Sequence, residues 1–569
     1  MSKVWKIKEN RSEGAAGNLA QELNINKVLA TLLIQRGIHT YEEARVFFRP
    51  SLENLHDPFL MKDMDKAVER ITSAIKKNER ILVYGDYDVD GTTSVAMVYS
   101  FLRKFHHKID YYIPDRYNEG YGISYKGIEY AALNRIRLII ALDCGIKAVD
   151  KIQFAKDRGI DFIICDHHTP GDKLPDAYAV LDPDRPDCSY PFKHLSGCGV
   201  GFKMLQAYCM QHNIPNDILW DYFDLLAVSI ASDIVPIKGE NRIMTYFGLQ
   251  KLMENPRVGL KSIISVAGIA DKTITVEDIV FKIGPRINAA GRIESGKQAV
   301  DLLICEKYEE AMLHCEKINA YNLTRRNIDK NMTDEALKEI EHFNGKFKFS
   351  TVLFNPSWHK GVVGIVASRL IENHYRPTVV LTESNGFATG SARSVTGFDL
   401  YQAISECADL LENYGGHRYA AGLTMRIDNV PIFRERFEEV VSQTITPEQL
   451  IPQIEIDAEL NLKDITDKFF NILRQFEPFG PENMNPVFFA ENVVDNGNGR
   501  LVGSSEEHLK LCLIQEDEPY NVFDAIAFYQ SQHFGTISKG LCFDIAYILA
   551  ENNFRGNTSI QLNIKDIKL

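Results

Sequence analysis

Short apolar runs alternate with amphipathic stretches from residue 81 onward. Ile81 to Tyr84, Ile109 to Ile113, Leu138 to Leu142, Phe162 to Cys165 and Ala179 to Leu181 each have the length of a buried strand, with helical spacing between them. That alternation predicts βαβ units and a parallel sheet. Ahead of it, the chain reads as helical and polar, with Ile25 to Leu33 apolar at helix spacing and Pro50 and Pro58 as breaks. Between Gly296 and Gly345 there is neither Gly nor Pro, which predicts one long helix with room for a single break. A second α/β unit follows, with strands at Thr351 to Phe354 and Thr378 to Leu381. Beyond about Ile451 the apolar segments are short and separated by turns, at Val487 to Phe489, Leu509 to Leu513, Asp524 to Phe528 and Phe543 to Tyr547. This is the pattern of an OB-like β-barrel. The expected units are an N-terminal helical region (1–78), a parallel-sheet domain (79–295), a connecting helix (296–345), a smaller α/β domain (346–446) and the barrel (447–569).

The residues just after the strands carry the chemistry: Asp86, Asp115, Asp143, Asp166 and Asp182 follow the five runs in turn. Ligands of open parallel sheets bind beyond the carboxyl ends of the strands, so several of these acids should share a crevice. The first run leads into Gly85-Asp86-Tyr87-Asp88-Val89-Asp90-Gly91, where three carboxylates crowd one strand-to-helix turn. They repel one another unless a cation sits among them. Oxygen ligands favour Mg2+ or Mn2+ over Zn2+. The competing reading is an Asx-turn with a helix N-cap. The fourth run ends in Asp166-His167-His168. Adjacent side chains do not easily reach one ion from the same side, so one imidazole is assigned to metal and the other to substrate. Farther on, the apolar run Leu225 to Ala231 ends at Ser232-Asp233-Ile234-Val235-Pro236, with a capping role as the alternative for Asp233. Gly197 to Phe202 fails the dinucleotide fingerprint at its last glycine and reads as a turn into a helix beginning near Phe202.

Composition narrows the class. A chain of 569 residues exceeds one ordinary core, and 45% hydrophobic with 25% charged residues is that of a globular protein. No apolar run reaches membrane-spanning length and the first residues lack a secretory h-region, so a cytoplasmic protein is expected. The ten cysteines form no Cys-x-x-Cys pair and are expected to be reduced. A net charge of −13 argues against indiscriminate nucleic-acid binding but leaves room for a local basic groove.

Taken together, the motifs Tyr84 to Gly91, Ala141 to Gly145, Asp166-His167-His168, Ser232 to Pro236, Pro285 to Arg292 and Gly415-Gly416-His417 resemble the DHH phosphoesterase superfamily. The resemblance implies two catalytic ions, Mn2+ or Mg2+, held by Asp88, Asp90, Asp143, His167 and Asp233 with Asp143 as the bridge. Asp86 would ligate or support the loop, and His168 would face the scissile phosphate. Tyr84 stands where related sequences often carry His, which excludes a metal ligand there. Two ions can activate a water and clamp both oxygens of an in-line displacement. Arg286 and Arg292, flanking Asn288, are candidates to neutralise charge on the phosphate.

The second α/β unit resembles the DHH-associated domain, which faces the first across a cleft. His359 to Ala367 would open a helix at a phosphate-cradling turn, and Gly415, Gly416 and His417 would bring backbone close to a nucleotide. Arg116, Ser391 and Arg393 are read as a pocket for a terminal 5′ phosphate. Phe528 and Tyr529 are candidate stacking residues on the barrel. The expected activity is hydrolysis of single-stranded DNA from the 5′ end to mononucleotides, in repair and recombination. DNA preference and polarity are implied by the resemblance alone. The chain is expected to be a monomer, with a single-strand-binding protein and a helicase as candidate partners. The alternatives are a DHH phosphoesterase acting on short RNA or cyclic dinucleotides, and a non-catalytic replication scaffold.

Overall fold

The structure is a computed structural model that describes residues 3–9, 13–343, 345–515, 518–554 and 557–569. Five strands, β1 (Arg80–Gly85), β2 (Ile109–Tyr112), β3 (Ile136–Leu142), β4 (Asp161–Cys165) and β5 (Ala179–Leu181), form a parallel sheet in the order β2-β1-β3-β4-β5. Side-chain alternation sends Ile81, Val83, Leu138, Ile140 and Leu142 into one core and Leu82, Tyr84, Ile139 and Ala141 into another, so both faces are covered. Strand order reverses between β1 and β3, and a crevice opens at such a switch point. Register completes the arrangement. Gly85 pairs with Leu142, Leu142 with Cys165 and Cys165 with Leu181, so Asp86, Asp143, Asp166 and Asp182 leave neighbouring strands at one level.

Helix α1 (Val89–Arg103) follows β1 and is buried along almost its whole length against α2 (Gly197–Gln211) and α3 (Phe223–Ser232). Helix α4 (Gly284–Ile293) leads through a short helix, Lys297–Leu303, to α5 (Tyr308–His342), so the connecting segment is broken once. The second domain is a mixed sheet of β6 (Thr351–Phe354), β7 (Thr378–Ser384), β8 (Phe387–Arg393), β9 (Leu411–His417) and β10 (Ala420–Arg426), in the order β9-β10-β8-β7-β6, with α6 (Val363–Asn373) packed on it. The C-terminal barrel is built from β11 (Phe488–Asp495), β12 (Arg500–Val502), β13 (His508–Gln515), β14 (Glu518–Ala527), β15 (Phe543–Phe554) and β16 (Asn557–Lys568). It closes because β11 pairs with both β13 and β15.

Two expectations are corrected. The N-terminal segment is not purely helical: Val4–Ile7 is a strand paired in parallel with Gln453–Ile456. The apolar stripe from Leu29 to Leu33 packs with Leu462, Phe469, Leu473 and Phe476 beside the barrel, while the helix Met64–Lys76 packs into the core of the parallel-sheet domain. Gly197-Cys198-Gly199 is not a turn before a helix but the first turn of α2. Helix propensity argues against two glycines in that turn, yet close packing requires the first. A Cβ on Gly197 would stand 2.6 Å from Cβ of Asp143.

Candidate metal centre and phosphate pocket

Asp90 sits in the first turn of α1 and is held by hydrogen bonds from outside its own helix. The N–H groups of Gly197 and Cys198 donate to its two oxygens at 2.6 and 2.9 Å, and Ser229 Oγ donates at 2.7 Å. The N-terminus of α2 thus receives a carboxylate, as its dipole favours. Asp88 is the N-cap of α1, accepting from Gly91 N at 3.0 Å, so the capping reading holds for this residue, whose carboxyl is also pushed up by burial and by Asp90. Asp86 is fully buried, accepts from Gly122 N at 3.3 Å, and is raised well above the carboxylate range by burial and by Asp88.

His167 is the hub. Its Nε2 lies 3.2 Å from Asp143 Oδ1, 3.5 Å from Asp233 Oδ2 and 3.7 Å from Asp90 Oδ2. Ligand atoms of Asp143, His167 and His168 lie within 4.8 Å of one another, as do those of Asp90, His167 and Asp233. Asp143 leaves β3 with φ at +59°, and burial followed by Asp90 and Asp88 raises its carboxyl strongly. Burial and Asp90 also raise Asp233, at the C-cap of α3. Burial lowers His167. Asp143 Oδ1, His167 Nε2 and Asp86 Oδ2 are buried without a hydrogen-bond partner. Buried polar atoms are ordinarily satisfied, so the orphaned Asp143 and His167 atoms, 3.2 Å apart, fit an oxygen-rich divalent-cation site.

His168 differs from its neighbour. Its Nδ1 is 2.7 Å from Asp166 Oδ1, leaving Nε2 toward the Tyr121 hydroxyl at 3.1 Å. Burial opposes the charged ring, but Asp166 overrides it and raises His168 to about 9.

A basic pocket lies across the cleft. Arg393 Nη1 donates to Ser391 Oγ at 2.6 Å. A Cβ on Gly364, in the first turn of α6, would stand 3.0 Å from Arg393 Nη2. Arg292 Nη1 donates to the carbonyl of Gly361 at 2.9 Å, joining α4 to the second domain. Burial, then Arg116, Arg325 and Arg393, push Arg292 down to about 10, with Asp88 opposing. Four guanidiniums therefore share one field at the edge of the acid cluster. For Arg393, burial accounts for the lowering with no acid to offset it. Such a group favours a multiply charged anion. Arg116 lies over the Tyr87 ring, 4.9 Å from its centroid.

These features have close counterparts. Residues 80–230 match the DHH family, N-terminal domain, residues 344–443 the DHHA1 domain, and residues 456–566 the RecJ OB domain. A Bacillus subtilis protein described as single-stranded-DNA-specific exonuclease RecJ is 37% identical over 99% of this chain and 70% of its own length. The Escherichia coli protein of the same description is 32% identical over 95% of both chains. The chain belongs to the RecJ family. Among solved structures, RecJ from Thermus thermophilus in complex with Mn2+ superposes with a TM-score of 0.85 at 26% identity, covering 100% of this chain and 79% of that one.

In this RecJ-family chain the fold brings Asp86, Asp88, Asp90, Asp143, His167, His168 and Asp233 to one crevice, and Arg116, Arg292, Ser391 and Arg393 to its rim. Asn288 is half-buried one turn before Arg292 on α4. Arg286 is not brought there: its guanidinium donates to the Lys282 carbonyl at 2.6 Å and to Asn319 at 3.2 Å. Six residues along a helix place it on a different face from Arg292. Asp115 instead caps a turn, accepting from Tyr117 N and Asn118 N. Gly415, Gly416 and His417 lie on the exposed strand β9, paired with Gly422, Ala421 and Ala420, rather than in a turn. Sequence reasoning missed Asp166 as the holder of both histidines, Ser229 as a partner of Asp90, Tyr121 beside His168, and Arg325. Only Asp166, adjacent to the histidine pair, carried a sequence signal.

Proposed function

We propose that this chain is a metal-dependent exonuclease that hydrolyses single-stranded DNA from the 5′ end and releases mononucleotides. The observation that carries this reading is the pairing of an orphaned acid and imidazole cluster with an arginine pocket across one cleft, in a chain similar along its length to proteins described as single-stranded-DNA-specific exonucleases. Thermus RecJ structures are described with Mn2+ and with Mg2+, and the donor set here suits either. Asp86, Asp88, Asp90, Asp143, His167 and Asp233 would hold two ions. When bound, such ions lower the pKa of a water and offset charge growing on the phosphate.

The protein's own groups do the rest. Asp166 accepts from His168 Nδ1 and favours the charged ring, whose Nε2 would donate a hydrogen bond to the scissile phosphate. Asp90 is fixed by α2 and Ser229, which keeps its oxygens aimed without reorganisation. Arg116, Ser391 and Arg393 bind the terminal phosphate, with Arg292 beside them, and set the distance from strand end to cleavage point. No helix among the described residues is long and apolar enough to cross a membrane. On this reading the chain works as a cytoplasmic monomer on strands that a helicase opens and a single-strand-binding protein coats.

The test is hydrolysis of end-labelled single-stranded DNA and short RNA, with Mn2+, Mg2+ or EDTA. Labelled mononucleotide should appear from the 5′ end of DNA at the earliest times and only with metal. Early release from the 3′ end, or cleavage of RNA alone, would overturn the assignment.

A further inference from the structure

Helix α3 ends at Ser232, and the chain leaves it through Asp233 and Ile234. Ile234 has φ of +60°, the left-handed conformation that helix C-termini ordinarily give to glycine or asparagine. A β-branched residue tolerates it worst. Nor does the side chain gain burial in exchange, since Ile234 is 64% exposed. Glycine would relieve both costs, and such strain gathers at functional sites. The position is one residue from Asp233, whose Oδ2 is 3.5 Å from His167 Nε2.

The neighbouring element shows a second exposed apolar side chain. Ile279–Ile283 forms a π-helical stretch just ahead of Pro285, which has no N–H to continue an α-helical ladder there. Helix α3 packs on this stretch, close enough that a Cβ on Gly284 would stand 2.7 Å from Ser232 Oγ. Phe281, within it, is 71% exposed. Glu277, at the head of the same segment, lines one cavity with Phe528 and Tyr529 of the barrel. Exposed apolar side chains thus stand next to a residue of the acid cluster, at Ile234, and on the element packed against α3, at Phe281. A single strand has what such side chains can meet, because its unpaired bases carry apolar faces that a duplex hides.

We propose that Ile234, with Phe281 on the neighbouring element, is a base-contact residue: the nucleobase of a nucleotide at the Asp143–His167 cluster rests against the Ile234 side chain and so positions the phosphate. This rests on the single-stranded DNA reading above. Ile234 acts through the substrate's base and is a positioning residue.

The experiment compares DNA strands that are intact, abasic at the first nucleotide, or abasic at the second. Wild type, Ile234→Gly and Phe281→Ala are measured for kcat/KM in Mn2+ and for binding in EDTA by fluorescence anisotropy. Wild type should lose about tenfold on one of the abasic strands, the size of one base contact. Ile234→Gly should cleave the intact strand at about a tenth of the wild-type kcat/KM, discriminate by less than twofold, and unfold at a higher temperature than wild type. Ile234→Asn, which also accepts the left-handed backbone, replaces the glycine variant if that fails to fold. A variant that keeps the wild-type ratio between intact and abasic strands overturns the proposal, as does an equal loss on all strands. If wild type cleaves no single strand, the exonuclease reading fails, and the base contact is judged by the intact-to-abasic binding ratio in EDTA.

Discussion

Asp166 Oδ1 accepts from His168 Nδ1 at 2.7 Å and also from the backbone N–H groups of His167 and His168, at 2.8 and 3.2 Å. Its other oxygen accepts from Ile146 N at 2.9 Å. One buried carboxylate therefore fixes the loop and the ring that the proposed function turns toward the substrate. Asp166→Asn should lower kcat by about 10–100-fold, the usual cost of losing such a supporting partner. Steady-state hydrolysis of single-stranded DNA, with calorimetric titration of Mn2+, checks this.

Asp143 combines a central position with an oxygen that no donor satisfies. Asp143→Ala should abolish hydrolysis in Mn2+ and Mg2+ beyond the roughly 10–100-fold of a supporting residue. In EDTA its unfolding midpoint should equal or exceed that of wild type, because the substitution relieves repulsion among buried acids. Near-normal turnover would count against the two-ion assignment.

The proposed terminal-phosphate pocket predicts a preference for 5′-phosphorylated over 5′-hydroxyl strands, most of which Arg393→Ala should lose while still cleaving slowly. The ratio of kcat/KM for the two ends, in both proteins, reads this directly. Equal loss on both ends would assign Arg393 a general supporting role.

Asp182 gives a pH signature. It is fully buried, with Oδ1 accepting from Asp184 N at 2.7 Å and Oδ2 without a partner. Burial and the nearby Asp166 push it from the ordinary 3.8 up to about 7. A raised carboxyl favours the folded state while protonated, so its contribution is complete below about pH 4 and disappears as pH rises through 7. Asp182→Asn should therefore unfold at a higher temperature than wild type at pH 8, with the gap closing on acidification. Thermal scans in EDTA from pH 5 to pH 8 test it.

Lys203 and Glu240 form an ion pair at 2.8 Å with both side chains buried. Lys203 Nζ also meets the His56 carbonyl and Gln206, and Glu240 accepts from Tyr190. Lys203→Met should cost about 3–5 kcal/mol by stranding the carboxylate. Lys203→Met with Glu240→Gln should recover part of that, as measured by urea unfolding.

Much of the catalytic half was legible because its signals are local. All five strands and the acid after each follow from short apolar runs, and the broken connecting helix from an absence of Gly and Pro. What depends on strand order was not legible. Asp115 and Asp143 look alike in sequence, but only Asp143 leaves a strand at the switch point. Gly197 was misread because its justification is a neighbour, Asp143, more than fifty residues earlier. Arg286 and Arg292 were equivalent in sequence and were separated by helix phase. The strand Val4–Ile7 left no trace because four largely exposed residues have no period to detect.

That strand's partner, Gln453–Ile456, lies at the other end of the chain, and the stripe from Leu29 to Leu33 also waits for residues beyond 460. At about 5–20 residues per second, a ribosome needs on the order of 20–90 s to deliver those partners. Through that interval the nascent N-terminal helices cover one another only in part and lack the cover that Leu462, Phe469, Leu473 and Phe476 supply. Slower synthesis lengthens that exposure, so the yield of active protein should fall where chaperones are scarce.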